Sequence, residues 1–212
     1  MAADRFRLTL AQLNPTVGAL EANAALARAA WAEGRAAGSD MVALTEMFIT
    51  GYQTQDLVLK PAFVTAAMAA IEGLARDCAD GPALGIGGPW RDPAHGALYN
   101  AYYILQGGKV SARVLKHHLP NDGVFDEKRL FRSADVNGPY VVNGVRIGTP
   151  ICEDSWHPDV AETLAETGAE ILLVPNGSPY HRGKPDLRLN LMVARVVETG
   201  LPLVYLNMTG GQ

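Results

Sequence analysis

Val145-Arg-Ile-Gly-Thr-Pro-Ile-Cys152-Glu-Asp-Ser-Trp156 is an apolar, strand-like run that ends in a thiol and gives way at once to acidic and polar residues. Just upstream, Asn143-Gly144 separates it from Tyr140-Val-Val, and both residue types accept the positive φ that a two-residue hairpin requires. Just downstream, residues 158–167 have helical spacing and 171–174 read as a buried strand. A hairpin, a helix and another apolar strand in close succession point to a layered α/β fold.

The alternation extends outward. Phe6, Leu8, Leu10 and, after a break, Leu13 predict a first strand; residues 20–37 predict an alanine-rich helix stopped by Gly38. A short strand over 41–45, a helix over 61–79 with proline in its first turn, and a buried strand over 83–87 follow. Runs 98–106 and 109–116 flank Gly107-Gly108, a second hairpin signal, and the chain continues with a helix over 186–199 and a strand over 203–206. Strands that are apolar throughout require cover on both faces, so the helices are expected to cover a mixed sheet. The chain stops in the loop-like Asn207-Met-Thr-Gly-Gly-Gln212 straight after a buried strand, which predicts a domain incomplete on its carboxyl-terminal side and a longer parent protein.

With 212 residues, 48% of them hydrophobic and 19% charged, the chain can bury one large core and needs no second domain. A net charge of -4 and the lack of any basic stripe exclude a nucleic-acid partner. The first ten residues alternate without a continuous apolar core, so they are neither a signal peptide nor a membrane anchor. Two cysteines, Cys78 and Cys152, make no disulfide framework and suit a reducing compartment, so a cytoplasmic location is expected. Cys78 lies in a helical pattern and reads as core.

Three strand ends deliver reactive side chains: Met41-Val-Ala-Leu-Thr leads to Glu46, Ser111-Ala-Arg-Val-Leu to Lys116, and the opening stretch to Cys152. Each alone is ordinary. Together they supply what amide cleavage at a thiol needs, namely a carboxylate base, a cation facing the developing oxyanion, and a nucleophile.

Leu44-Thr-Glu-Met-Phe-Ile-Thr-Gly-Tyr52, Lys116-His-His-Leu-Pro-Asn121 and Gly148-Thr-Pro-Ile-Cys-Glu-Asp154 resemble, in order and spacing, the three signature blocks of the nitrilase (carbon-nitrogen hydrolase) superfamily. The resemblance covers nearly the whole chain and implies a four-layer α-β-β-α sandwich with mixed sheets. Leu119-Pro-Asn-Asp-Gly-Val-Phe-Asp-Glu-Lys-Arg-Leu-Phe131, Ile151-Cys-Glu-Asp-Ser-Trp156 and Asn176-Gly-Ser-Pro-Tyr-His-Arg-Gly-Lys184 are further similar to the amino-terminal glutaminase domains of glutamine-dependent NAD synthetases.

That resemblance implies glutamine as substrate and Glu46, Lys116 and Cys152 as the catalytic trio. Glu46 would take the thiol proton, while Lys116 and the backbone N–H of Glu153 would hold the oxyanion. Glu127 would orient the lysine and substrate, and the Glu153 carboxylate would meet the substrate amino group. Tyr52 is expected at the substrate, with Ser178 and Arg188, or Arg182 instead, receiving the α-carboxylate, for which a guanidinium fork is suited. No metal or cofactor is expected for this step. ATP, magnesium and deamido-NAD would serve a separate carboxyl-terminal synthetase domain, the ammonia acceptor, whose Ser-Gly-Gly pyrophosphate loop is not in these residues. Homo-oligomers are also implied. Two positions depart from the pattern: Asp122 stands where a pocket tyrosine is common, and Met208-Thr209 where Gln-Val usually precedes the final Gly-Gly-Gln.

Rival chemistries fit less well. Cys152, Asp154 and His157, with His117-His118 nearby, have none of the zinc spacings. Ser178 lacks the second glycine of a nucleophile elbow, and Gly85-Ile-Gly87-Gly-Pro-Trp90 has a tryptophan where a dinucleotide loop needs its third glycine. A stand-alone amidase and a non-catalytic scaffold are the two readings the residues leave open.

Overall fold

Small residues at helical spacing build the first layer of the computed structural model, which describes residues 5–180 and 182–210. After β1 (Leu8–Leu10), helix α1 (Leu20–Ala36) buries Asn23, Ala24, Ala27, Ala30, Trp31 and Gly34, one face of the helix. Gly34 has no room for a side chain, because a Cβ there would strike Val42 of β2 (Met41–Ala43). Helix α2 (Pro61–Asp77) sets Val64, Ala67, Ile71, Leu74 and Ala75 beside it. Both helices cover β3 (Ala83–Arg91), β4 (Leu98–Gln106) and β5 (Lys109–Leu115) through a cluster that includes Phe48, Leu84, Ile86, Tyr103 and the buried Cys78.

The five strands lie in the order β1-β2-β3-β4-β5, parallel from β1 to β3 and antiparallel from β3 to β5. After a single helical turn, α3 (Glu127–Leu130), a second sheet forms from β6 (Tyr140–Val142), β7 (Val145–Gly148), β8 (Ile171–Asn176) and β9 (Leu203–Asn207). Its first pair is antiparallel and the rest parallel. Helix α4 (Pro158–Glu166) covers its outer face with Val160, Ala161 and Leu164, and α5 (Lys184–Thr199) follows β8. Between the sheets, Met41, Ala43, Tyr102, Ile104 and Val114 meet Tyr140, Val142, Ile147, Leu173 and Leu206. This is the α-β-β-α sandwich with two mixed sheets. Leu189, Val193 and Val197 of α5 stay exposed.

Three local outcomes differ from the expected elements. Strand β3 runs on to Arg91, because Gly87-Gly-Pro-Trp90 continues its pairing with β4 despite the turn-like composition. Strand β7 stops at Gly148, so Cys152 heads a 3-10 turn, Cys152–Trp156, instead of ending a strand. Strand β2 likewise ends at Ala43, before Glu46. Among the described residues, no helix is long and apolar enough to cross a membrane.

Candidate active site

The segment after β2 carries Glu46 inward, and its position is set by close backbone approach. A Cβ on Gly87 would land on Met47 N and within 2.6 Å of Glu46 C, so β3 can lie against this segment only through glycine. Lys116 directly follows β5, its N–H donating to Asn100 O at 2.9 Å. Glu46 is 1% exposed, Lys116 0% and Glu127 3%. Lys116 Nζ donates to Glu46 Oε1 at 2.7 Å and to Glu127 Oε2 at 2.8 Å.

Two carboxylates thus flank one ammonium away from water. Burial lowers the lysine's proton affinity, but Glu127 and Glu46 outweigh it and hold Lys116 well above its ordinary value, so it stays charged. Burial and the Glu46 charge raise Glu127, with Lys116 and a hydrogen bond from Tyr52 opposing them. Both oxygens of Glu46 are occupied: Asn100 Nδ2 donates to Oε1 at 2.8 Å, and Gly177 N donates to Oε2 at 3.0 Å. The last bond comes from the end of β8, so the carboxylate is gripped from both sheets.

Cys152, 2% exposed, has φ 49°, a left-handed conformation that costs a non-glycine residue of order 1–3 kcal/mol. Asp154 holds the turn in which it sits. Its Oδ2 accepts from Ile151 N at 2.9 Å, and its Oδ1 accepts from His117 N at 3.1 Å and His118 N at 2.7 Å. One carboxylate therefore ties the Cys152 turn to the segment bearing Lys116. Burial pushes Asp154 up to about 7, against those amide bonds and Lys116. Burial and then Glu46 raise the Cys152 thiol well above its ordinary value, with Lys116 opposing, so the resting group is a thiol.

Cys152 opens onto a cleft of about 500 Å³ that Glu153, Asp122, Phe125, Trp156 and Ser178 also line. Asp122, the departure from the usual aromatic, therefore borders it. Tyr52, expected at the substrate, is 3% exposed, and its hydroxyl donates to Glu127 Oε1 at 2.8 Å. Arg188 Nη2 donates to Ser178 Oγ at 2.8 Å and to Pro179 O at 3.0 Å, which brings the expected pair together. Arg188 borders a neighbouring apolar groove with Met192 and Val193 and not the Cys152 cleft; its buried Nε meets no partner among the described residues. Arg182 is exposed, and Gly211 and Gln212 lie outside the described residues.

Asn100, Asp154 and Gly177 were not anticipated. Asn100 had a legible signal, a lone amide inside the apolar run Leu98-Tyr-Asn-Ala-Tyr-Tyr-Ile-Leu105. Asp154 acts through side-chain bonds to backbone amides and Gly177 through its own N–H, contacts that spacing does not encode.

The model of the family described as carbon-nitrogen hydrolase matches residues 7–212. The glutamine-dependent NAD(+) synthetase of Rhodobacter capsulatus is 66% identical over 209 residues, 99% of this chain and 38% of that protein. The structure of glutamine-dependent NAD+ synthetase from Acinetobacter baumannii in complex with ADP has a TM-score of 0.92 at 29% identity, covering 98% of this chain and 39% of that one. An amidase from Nesterenkonia sp. has a TM-score of 0.82 at 25% identity, covering 97% and 77%. The chain spans well under half the length of the synthetase relatives it matches. A family match that runs through almost every residue, on a fold shared with an amidase, fixes the lineage: the chain belongs to the carbon-nitrogen hydrolase family.

Proposed function

We propose that these residues form the glutaminase domain of a glutamine-dependent NAD synthetase, with Cys152 as nucleophile. The observation that carries the chemistry is the buried Glu46–Lys116–Glu127 cluster beside a thiol that opens onto a cleft. The 66% identity to a protein named as that synthetase supports glutamine as the amide.

As Cys152 Sγ attacks the side-chain carbonyl of glutamine, Glu46 takes the thiol proton. The oxyanion then faces Lys116 and the Glu153 N–H. Collapse breaks the C–N bond, Glu46 returns the proton to the departing ammonia, and a γ-glutamyl thioester remains. Water, deprotonated by Glu46, cleaves the thioester to glutamate and frees the thiol. Glu127, held by Tyr52, keeps Lys116 in place. Glu153 meets the substrate amino group and Ser178 takes its carboxylate, with Arg188 acting from the neighbouring groove through its Nη2 bond to Ser178 Oγ. On this reading the ammonia passes to a synthetase domain that amidates deamido-NAD with ATP and magnesium, in a cytoplasmic homo-oligomer.

Ammonia release is to be measured from glutamine beside other ω-amides. Preference for glutamine is expected, and equal or better use of simpler amides would favour a stand-alone amidase. A glutamine-derived electrophile should label Cys152 and not Cys78, and Cys152→Ala should abolish ammonia release with the circular-dichroism spectrum unchanged. Labelling without that preference would point to an inert scaffold.

A further inference from the structure

Immediately beyond Lys116, two consecutive histidines, neither of them lining the Cys152 cleft, reach Asp159 in the first turn of α4. His117 is 31% exposed at its side chain, His118 26% and Asp159 53%. One ligating atom from each of the three lies within 4.8 Å of the others. His118 Nε2 is 2.9 Å from both Asp159 oxygens, and His117 Nε2 is 3.9 Å from Asp159 Oδ2. A tetrahedral zinc-class ion with bonds near 2.0–2.1 Å separates its ligands by ~3.3 Å, so these spacings need only a few tenths of an ångström to over an ångström of adjustment.

The tautomer of His117 is already set for such a bond. Its Nδ1 lies 2.6 Å from Ala134 O, and a carbonyl only accepts, so Nδ1 carries the proton and the neutral ring leaves Nε2 as a lone pair. An imidazole that donates its far nitrogen to a backbone carbonyl is the usual arrangement of a metal-bound histidine. The backbone beneath is fixed as well: His117 O accepts from Ser133 Oγ at 2.6 Å, and both histidine amides are held by Asp154. The His157 ring lies tilted beside that of His118, their centroids 4.1 Å apart, and is a further imidazole close to the group.

We propose that His117, His118 and Asp159 form a binding site for a divalent transition-metal ion of the zinc class, separate from the thiol chemistry. For binding, neutral His118 shifts through solvent to its Nδ1–H tautomer, which frees the Nε2 that otherwise bonds Asp159, and the ion completes its shell with water or His157. Imidazole donors select this class over magnesium. Once bound, the ion would staple the segment after β5 to the start of α4, alongside the link that Asp154 makes between that segment and the Cys152 turn.

The test uses the full-length protein carrying Cys152→Ser, which removes a competing sulfur ligand, in equilibrium dialysis against Zn²⁺ alone. One zinc per chain is expected, with Co²⁺ giving tetrahedral d–d absorption and millimolar Mg²⁺ failing to compete. His118→Ala and the exposed Asp159→Asn should each weaken binding at least about tenfold, with the melting temperature of the metal-free protein checking that both variants fold. No bound zinc, or zinc held equally well by both variants, would overturn the site.

Discussion

The Cys152 thiol, the proposed nucleophile, is buried, and the charge of Glu46, the proposed base, opposes its ionisation. Such a thiol attacks only as its proton leaves, so nucleophile and base must act in one step. Glu46→Gln separates the two effects. Removing the negative charge lets Lys116 dominate, so the pH midpoint of Cys152 alkylation should fall, measured in a Cys78→Ser background because burial pushes Cys78 up to about 11. Turnover should nevertheless drop, by roughly 100- to 10,000-fold, because the base is gone. A fall in both rate and alkylation midpoint supports the assignment, whereas unchanged turnover would remove Glu46 from the mechanism. Lys116→Ala should lower kcat by roughly 100- to 1,000-fold if the ammonium stabilises the oxyanion. An effect confined to KM would assign it to substrate binding instead. The reactive trio was legible in the sequence because each member follows an apolar run. Their partners were less so: Asn100 lies 54 positions from Glu46, and Gly177 lies 131 away.

At the level of elements, catalytic placement depends on how closely backbones approach. Strand β3 presses on the Glu46 segment at Gly87, where a methyl group would meet main-chain atoms that cannot rotate away. Gly87→Ala is therefore expected to cost about 1–3 kcal/mol of stability through overpacking. Because the shift falls on the base itself, activity should drop roughly 100-fold, more than the stability loss would account for at a temperature where the variant is folded. Denaturant melts and steady-state rates on one preparation would check both, and a stable, active variant would show that the segment yields. Composition alone ends β3 at residue 87, whereas its pairing with β4 continues to Arg91. Gly-Gly-Pro has turn composition, yet here the glycines serve packing and the strand continues through them. The 3-10 turn of Cys152 was read as a strand end for a related reason: the turn is held by the Asp154 side chain, not by a local backbone preference.

Across the whole molecule, the two sheets share a core that reaches Cys152, since Ile151 and Cys152 belong to the same packed cluster as Leu173 and Tyr102. Leu173→Ala should cost about 2–5 kcal/mol. For a chain of this size that corresponds to a melting temperature lower by roughly 5–20 °C, readable by calorimetry. A shift of a degree or less would mean that the inter-sheet layer repacks. The layer order could be anticipated from alternating periodicities and family resemblance. Which side chains cross between layers could not, because each sheet reads as buried from either face.

Glu46 and Lys116 come from the first sheet, while Cys152 and the Gly177 amide come from the second. A chain caught midway through assembly, with its halves formed but undocked, therefore carries a thiol without a base and a base without a thiol. On the proposed mechanism amide hydrolysis requires both sheets to be docked, so nascent or damaged copies would leave amides intact.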